Sequence, residues 1–327
     1  MSLRADIAGL AQRVKERDCR AVARIISALE NDPEFAPQFI PALSPFWTKR
    51  PRLGITGSPG VGKSTVINGL VKLLRARGQR VGVVAVDPTS PFSGGAILGD
   101  RVRMQGVQND EGVFIRSMGS RGSLGGLSVA TASVVRVLES FGSDFILVET
   151  VGMGQTGFDI ADIADTVALL LSPESGDGVQ TMKAGVMEIA DMYVVNKADR
   201  PGAEGLMIEI ESLLGMIEDR LRWKPPVFAA KALEGEGMER ILEVFAEHQN
   251  FLREHEQYEQ RRLRQVTSEI RFIVESQIRR RSFASPDFRQ RIDDLAGKVM
   301  AAEMDAYTAA AIIMKELPER LGEGQSQ

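Results

Sequence analysis

One glycine-studded run, Gly57-Ser58-Pro59-Gly60-Val61-Gly62-Lys63-Ser64-Thr65, most constrains what this chain can fold into. It fits the pattern G-x-x-x-x-G-K-[ST] at every fixed position. Glycines at that spacing let backbone N–H groups close around phosphates. The lysine reaches the outer phosphate oxygens, and the hydroxyl after it can ligate Mg²⁺. Such a P-loop needs a buried strand before it and a helix after it. The flanks supply both. Arg52-Leu53-Gly54-Ile55-Thr56 reads as a short strand. Residues 64–77 read as a helix with Val66, Ile67, Leu70, Val71, Leu73 and Leu74 on its apolar side. All nine residues from Gly57 to Thr65 are therefore expected around the phosphates, with Lys63 catalytic and Ser64 on the metal.

The rest of the chain extends that pattern. Short continuous apolar runs fall at 52–56, 81–86, 113–116, 145–149, 166–171, 192–196 and 226–229. Helical stretches fall between most of them, at 64–77, 124–141, 179–190, 203–220 and 237–249. Runs without alternation suit strands covered on both faces. The pattern predicts an α/β fold, a doubly wound and mainly parallel P-loop sheet with ligand loops at the carboxyl ends of its strands. Residues 1–48 form a helical cap, with a helix over 3–30 whose stripe is Leu10, Val14, Ala21, Ile25, Ile26 and Leu29, and a shorter one near 37–43. Residues 49–250 form the nucleotide domain. Residues 251–327 form a helical arm: a long charged helix over 251–283, an interruption at Phe283-Ala284-Ser285-Pro286, and two further helical stretches near 287–316. The segment 87–121, rich in Gly, Ser, Asp and Arg, breaks the rhythm, and a loop that long is usually functional or disordered.

A phosphate loop does not name the base. Asn196-Lys197-Ala198-Asp199 follows the strand residues Tyr193-Val194-Val195 and matches N-K-x-D. The Asp carboxylate accepts two N–H bonds from guanine, whereas adenine would leave it unpaired. Asn196, Lys197 and Asp199 are thus the expected base-binding residues and GTP/GDP the nucleotide. The strand at 145–149 ends in Glu149-Thr150-Val151-Gly152, the D-x-x-G position with Glu for Asp. Glu149 is expected to hold Mg²⁺ through a water, and Gly152 to offer its N–H to the γ-phosphate. Asp87 and Asp100 suit the metal or water site, and equally suit capping a loop. Met153 stands where Ras-type enzymes place a water-orienting Gln, with Gln155 two positions on. Slow intrinsic hydrolysis follows. No arginine can be named as a finger, and Arg101, Arg103 and Arg121 are ordinary candidates.

Composition removes other classes. A net charge of −4 with 26% charged residues gives no pull toward nucleic acid. Arg279-Arg280-Arg281, without interleaved aromatics, reads as a solvated or dimer-facing helix face. Cys19 is the sole cysteine, so neither a disulfide framework nor a cysteine metal site is expected. His248 and His255, seven apart, read as one face of an exposed helix. No run of 18 apolar residues predicts a membrane span. Asp6, Glu16 and Asp18 argue against a leader peptide, which places the chain in the cytoplasm.

These runs together resemble the MeaB/ArgK family of P-loop GTPases. The resemblance is carried by Gly57–Thr65, Asp87-Pro88-Thr89-Ser90-Pro91, Gly94 through Met104, Val148 through Gln155 and Asn196–Asp199, and it spans about residues 5–320. It implies a metallochaperone of the SIMIBI class that gates adenosylcobalamin loading into methylmalonyl-CoA mutase and protects that mutase. It also implies a homodimer built through the C-terminal arm, and a third switch at Ser172–Lys183 that couples GTP state to the partner. Lys231-Ala232 matches the loop whose Ala backbone N–H meets the guanine carbonyl, with Lys231 where relatives usually carry Ser. Thr156-Gly157-Phe158 departs from the acidic residue usual after the Gly-Gln of the second switch. Two other readings fit part of the pattern: a P-loop kinase, and a GTPase serving another metal such as nickel. The first would need a second substrate pocket. The second usually brings His- or Cys-rich stretches, which this chain lacks.

Overall fold

The computed structural model describes residues 3–32, 34–87, 110–119, 129–150, 160–174, 189–284 and 286–322. Among them, seven parallel strands form one sheet: β1 (Arg52–Thr56), β2 (Val81–Asp87), β3 (Val113–Gly119), β4 (Phe145–Glu149), β5 (Thr166–Leu171), β6 (Met192–Val195) and β7 (Val227–Ala229). Their order is β3-β2-β4-β1-β5-β6-β7, and every pairing is parallel. The doubly wound sheet read from the sequence is the one found. Residues of β1, β4, β5 and β6 are buried throughout, whereas β3 and β7 at the two edges are only partly covered. That is why the central strands read as unbroken Val, Ile and Leu runs.

Helices α1 (Ile7–Lys15), α2 (Cys19–Asn31) and α3 (Phe35–Phe39) precede the sheet, and α4 (Lys63–Ala76), α5 (Val129–Ser140) and α6 (Ala203–Gly215) alternate with its strands. Helix α7 (Met238–Glu254) follows β7. On one face, Val66, Ile67 and Leu70 of α4 and Ile241 and Phe245 of α7 close over β1, β4 and β5. On the other, Ile210 and Leu214 of α6 pack with Tyr193 and Val195 of β6. The single helix expected over 3–30 is divided. Arg17 adopts φ 63, and the Asp18 carboxylate accepts the Ala21 N–H at 2.9 Å, capping a new helix. An acidic cap of this kind satisfies an amide that a continuous helix would have bonded internally.

The chain separates into two units, Met1–Val266 and Thr267–Gln327. The long helix expected over 251–283 also differs. Helix α7 runs on through Glu254, Glu256 takes φ 56, and α8 (Gln257–Ala284) begins afresh. In the first unit, the start of α8 is tied to the amino ends of the strands by buried charge. Arg262 Nη2 and the Arg52 N–H both donate to Asp165 Oδ2, at 2.8 and 3.0 Å, and Arg52 pairs with Glu139 at 2.8 Å. In the second unit, α9 (Pro286–Met300) and α10 (Ala306–Gly322) are joined by the Arg291–Glu316 pair at 2.8 Å. No helix among the described residues is long and apolar enough to cross a membrane.

His248 is a correction. Instead of lying on an exposed helix face it is 1% exposed. The α7 stripe that buries Phe245 and Leu252 also carries His248 inward, where polar partners make burial tolerable. Its Nδ1 lies 2.9 Å from Thr166 Oγ1, and its Nε2 lies 3.3 Å from Asp191 Oδ1. Burial pushes its pKa down to about 4, against the pull of Asp191 and with the help of Arg261. An unfolded chain takes up that proton near the ordinary value of 6.5. Between those values the unfolded state binds more protons, so the contribution is complete above about pH 6.5 and is lost as pH falls toward 4. The loss amounts to roughly 3 kcal/mol. Denaturant midpoints at pH 7.5 and 4.5 are expected to fall further apart for the wild type than for His248→Gln. Equal pH slopes would mean that His248 protonates as readily folded as unfolded.

Candidate functional site

The P-loop joins the carboxyl end of β1 to the start of α4. Gly57 (φ 147) and Gly62 (φ 96) use conformations that suit glycine. A Cβ on Gly57 would sit 2.2 Å from the Leu170 carbonyl of β5, and one on Gly62 would sit 2.5 Å from Asn196 Nδ2. The turn is thus pressed against the end of β5 and the residue that follows β6. Lys63 is 8% exposed, and its ammonium donates to the Gly57 and Ser58 carbonyls at 2.9 and 3.2 Å. Those contacts hold the cation against the P-loop, where the sequence pattern expects the outer phosphate oxygens.

Ser64 on the first turn of α4 and Glu149 at the end of β4 are both buried. Ser64 Oγ donates to Glu149 Oε1 at 3.3 Å. Two hard oxygen donors converging beside a phosphate loop are the set that Mg²⁺ prefers, so these residues fit the ion. Among the described residues, no three His, Cys, Asp or Glu converge as a cage for a transition metal. The Asp87 backbone ends β2 as expected. Its side chain, and all of Asp100, Gly152, Met153 and Gln155, lie outside the described residues.

The base-reading residues are stitched to the phosphate loop by Asn196. It follows β6 and is 3% exposed. Its Nδ2 donates to the Val61 carbonyl at 2.8 Å, and its Oδ1 accepts the Ala232 N–H at 3.1 Å. One amide therefore holds the P-loop and the 231–236 turn in register. Asp199 is exposed at the rim, free of the core. Lys231 turns away to pair with Glu236 at 2.8 Å, and its backbone bridges Glu236 as well. An ion pair across the turn thus gives Lys231 a structural task in holding the Ala232 backbone. The Ala232 N–H that was expected at a guanine carbonyl points at Asn196 Oδ1 here.

Two contacts had no signal in the sequence pattern. Thr150 Oγ1 donates to Thr56 Oγ1 at 2.9 Å, joining the end of β1, just before the P-loop, to the residue that follows β4. Glu174, just after β5, pairs with Lys197 and Arg200. Thr150 and Glu174 lie within three residues of a strand's end, a position that predicts a loop but no partner.

Comparison with known proteins fits this geometry. Residues 19–287 match the sequence profile of the family described as methylmalonyl Co-A mutase-associated GTPase MeaB. A Pyrococcus abyssi protein that carries a GTPase name is 44% identical over 94% of this chain and 96% of its own length. GTPase ArgK of Escherichia coli is 33% identical, over 87% and 88%. The mouse protein named methylmalonic aciduria type A homolog, mitochondrial, is 33% identical, over 82% of this chain and 66% of its own length. A solved structure described as LAO/AO transport system kinase aligns with TM-score 0.72 at 25% identity, over 96% of this chain and 98% of that one. With a P-loop, a guanine motif and an acidic residue beside the loop serine on one parallel sheet, and with the profile spanning most of its length, this chain belongs to the MeaB family of P-loop GTPases.

Proposed function

We propose that this GTPase is a cytoplasmic metallochaperone that gates adenosylcobalamin loading into methylmalonyl-CoA mutase and protects that enzyme. The observation that carries the reading is the match of residues 19–287 to a family described by its association with the mutase. The name of the mouse relative points the same way. The geometry suits a switch. Ser64 and Glu149 would hold Mg²⁺, with Asp87 and Asp100 as further candidates, and the bound ion would neutralise charge on the β- and γ-phosphate oxygens. Beyond Glu149 and Thr150 the chain continues to Gly152, and beyond Glu174 it continues into the remainder of 172–183. Glu149, a candidate metal ligand, and Glu174, the partner of Lys197, thus stand at the roots of the two proposed switches.

The test is single-turnover GTP hydrolysis by the full chain with and without methylmalonyl-CoA mutase, paired with co-sedimentation in a non-hydrolysable GTP analogue and in GDP. Faster hydrolysis and a nucleotide-dependent complex are expected. Equal rates without nucleotide-dependent binding would overturn the chaperone reading and leave the GTPase intact. The name of the solved relative raises a kinase reading. Stoichiometric release of inorganic phosphate without any acceptor would exclude it.

We propose further that the arm built from 251–327 makes a homodimer. Val266, Ile270, Val274 and Ile278 recur at four-residue spacing along α8, and all are substantially exposed. An apolar stripe of this length on one helix is what a second helix covers. Ile270→Glu together with Val274→Glu is expected to shift the full chain from dimer to monomer in sedimentation velocity while far-UV circular dichroism stays that of the wild type. A persistent dimer would place the interface elsewhere.

A further inference from the structure

The base-reading loop carries an ion cluster that its motif does not require. Lys197 is the second residue of N-K-x-D, flanked by Asn196 and separated from Asp199 by one position. It adopts φ 58, unusual for a lysine, so its backbone is held in a set turn, and the Arg200 N–H closes that turn on the Lys197 carbonyl at 3.0 Å. Its ammonium donates to Glu174 Oε2 at 3.0 Å, and Arg200 pairs with the other oxygen of the same carboxylate. Glu174 stands three residues beyond the end of β5. Its backbone support is local: the Asn196 N–H donates to the Leu171 carbonyl at 2.9 Å, so the ends of β5 and β6 are already in register there.

We infer that Glu174 is a positioning residue for guanine recognition, acting through Lys197. The inference rests on the assignment of the base to Asn196 and Asp199. A free lysine stem samples many rotamers, and ordering it when a ligand arrives opposes binding. Glu174 tethers the charged end in advance. The four methylenes between the backbone and that end are then ordered and available as an apolar wall for a planar base. Arg200 holds the carboxylate from its other side, so Glu174 is itself fixed. Because the pairs are partly exposed, their worth to folding is small, and the effect belongs to nucleotide release.

The test is displacement of a fluorescent GDP from the full chain, comparing wild type with Glu174→Gln, alone and combined with Lys197→Met. The methionine keeps an apolar stem and removes the charge. Glu174→Gln is expected to speed GDP release about two- to fivefold. In the Lys197→Met background the same change is expected to do nothing further, because the group it acts through is gone. At about 1 M salt the factor between wild type and Glu174→Gln is expected to shrink, since an exposed ion pair is screened. A purely structural glutamate would act equally in both backgrounds. Unchanged release in Glu174→Gln, or an additive effect on Lys197→Met, overturns the inference. If Asp199→Asn still exchanges GTP for XTP when Glu174→Gln is silent, the inference fails alone. If both are silent, the base lies elsewhere and the inference falls with that assignment.

Discussion

Lys63→Ala is expected to lower single-turnover GTP hydrolysis about 10²–10³-fold, measured as phosphate release at saturating GTP. The ammonium is held by the Gly57 and Ser58 carbonyls of the P-loop. Charge builds on the outer phosphate oxygens as the γ-phosphoryl group departs, and a fixed cation there stabilises that state more than the ground state. Alanine keeps the helix: position 63 opens α4, and no residue favours a helix more. The variant is therefore expected to melt near the wild-type temperature and to bind nucleotide more weakly. Hydrolysis at the wild-type rate would show that the loop does not hold the reacting phosphate.

Asp199→Asn is expected to weaken GTP binding about 30-fold, equivalent to about 2 kcal/mol for a hydrogen-bonded charge, and to favour XTP instead. Guanine presents two N–H donors to a carboxylate. An amide offers one acceptor and one donor, and xanthine carries a carbonyl where guanine carries the amino group. The exchange of one donor for an acceptor on the base matches the exchange on the protein. Asp199 is exposed and makes no core contact, so the change acts on recognition and not on folding. Competition titrations with both nucleotides measure it. An unchanged GTP affinity would move the base to another loop.

The sequence by itself determined the elements and the chemistry they carry. The bounds of β1, β4 and β5 coincide with the runs at 52–56, 145–149 and 166–171, because strands buried on both faces read as continuous apolar stretches whose polar residues, Arg52, Thr56, Glu149 and Thr166, stand only at their ends. The P-loop is local in the same sense, since its glycines, lysine and hydroxyl all lie within nine residues. Reading failed where a local break competed with a periodic stripe. Asp18 caps a second helix inside what reads as one, and Glu256 ends α7 inside an unbroken charged stretch. His248 was misplaced because a helical stripe tells which positions share a face but not which face meets the sheet.

Only the tertiary structure decided which distant segments meet. The order β3-β2-β4-β1-β5-β6-β7 puts the P-loop strand between β4, which ends in Glu149, and β5, which leads to Glu174. Residues 64 and 149 become one hydrogen-bonded pair, and residues 174 and 197 one ion pair, through that placement. The Asn196 amide bridges residues 61 and 232 for the same reason. Burial patterns record how much of a segment is covered. They carry no label for what covers it, because apolar contact is non-directional and any strand of the right period could fill the neighbouring place in a parallel sheet. The crossover connections select the neighbour, and the polar groups at the strand ends find their partners only after that choice is made.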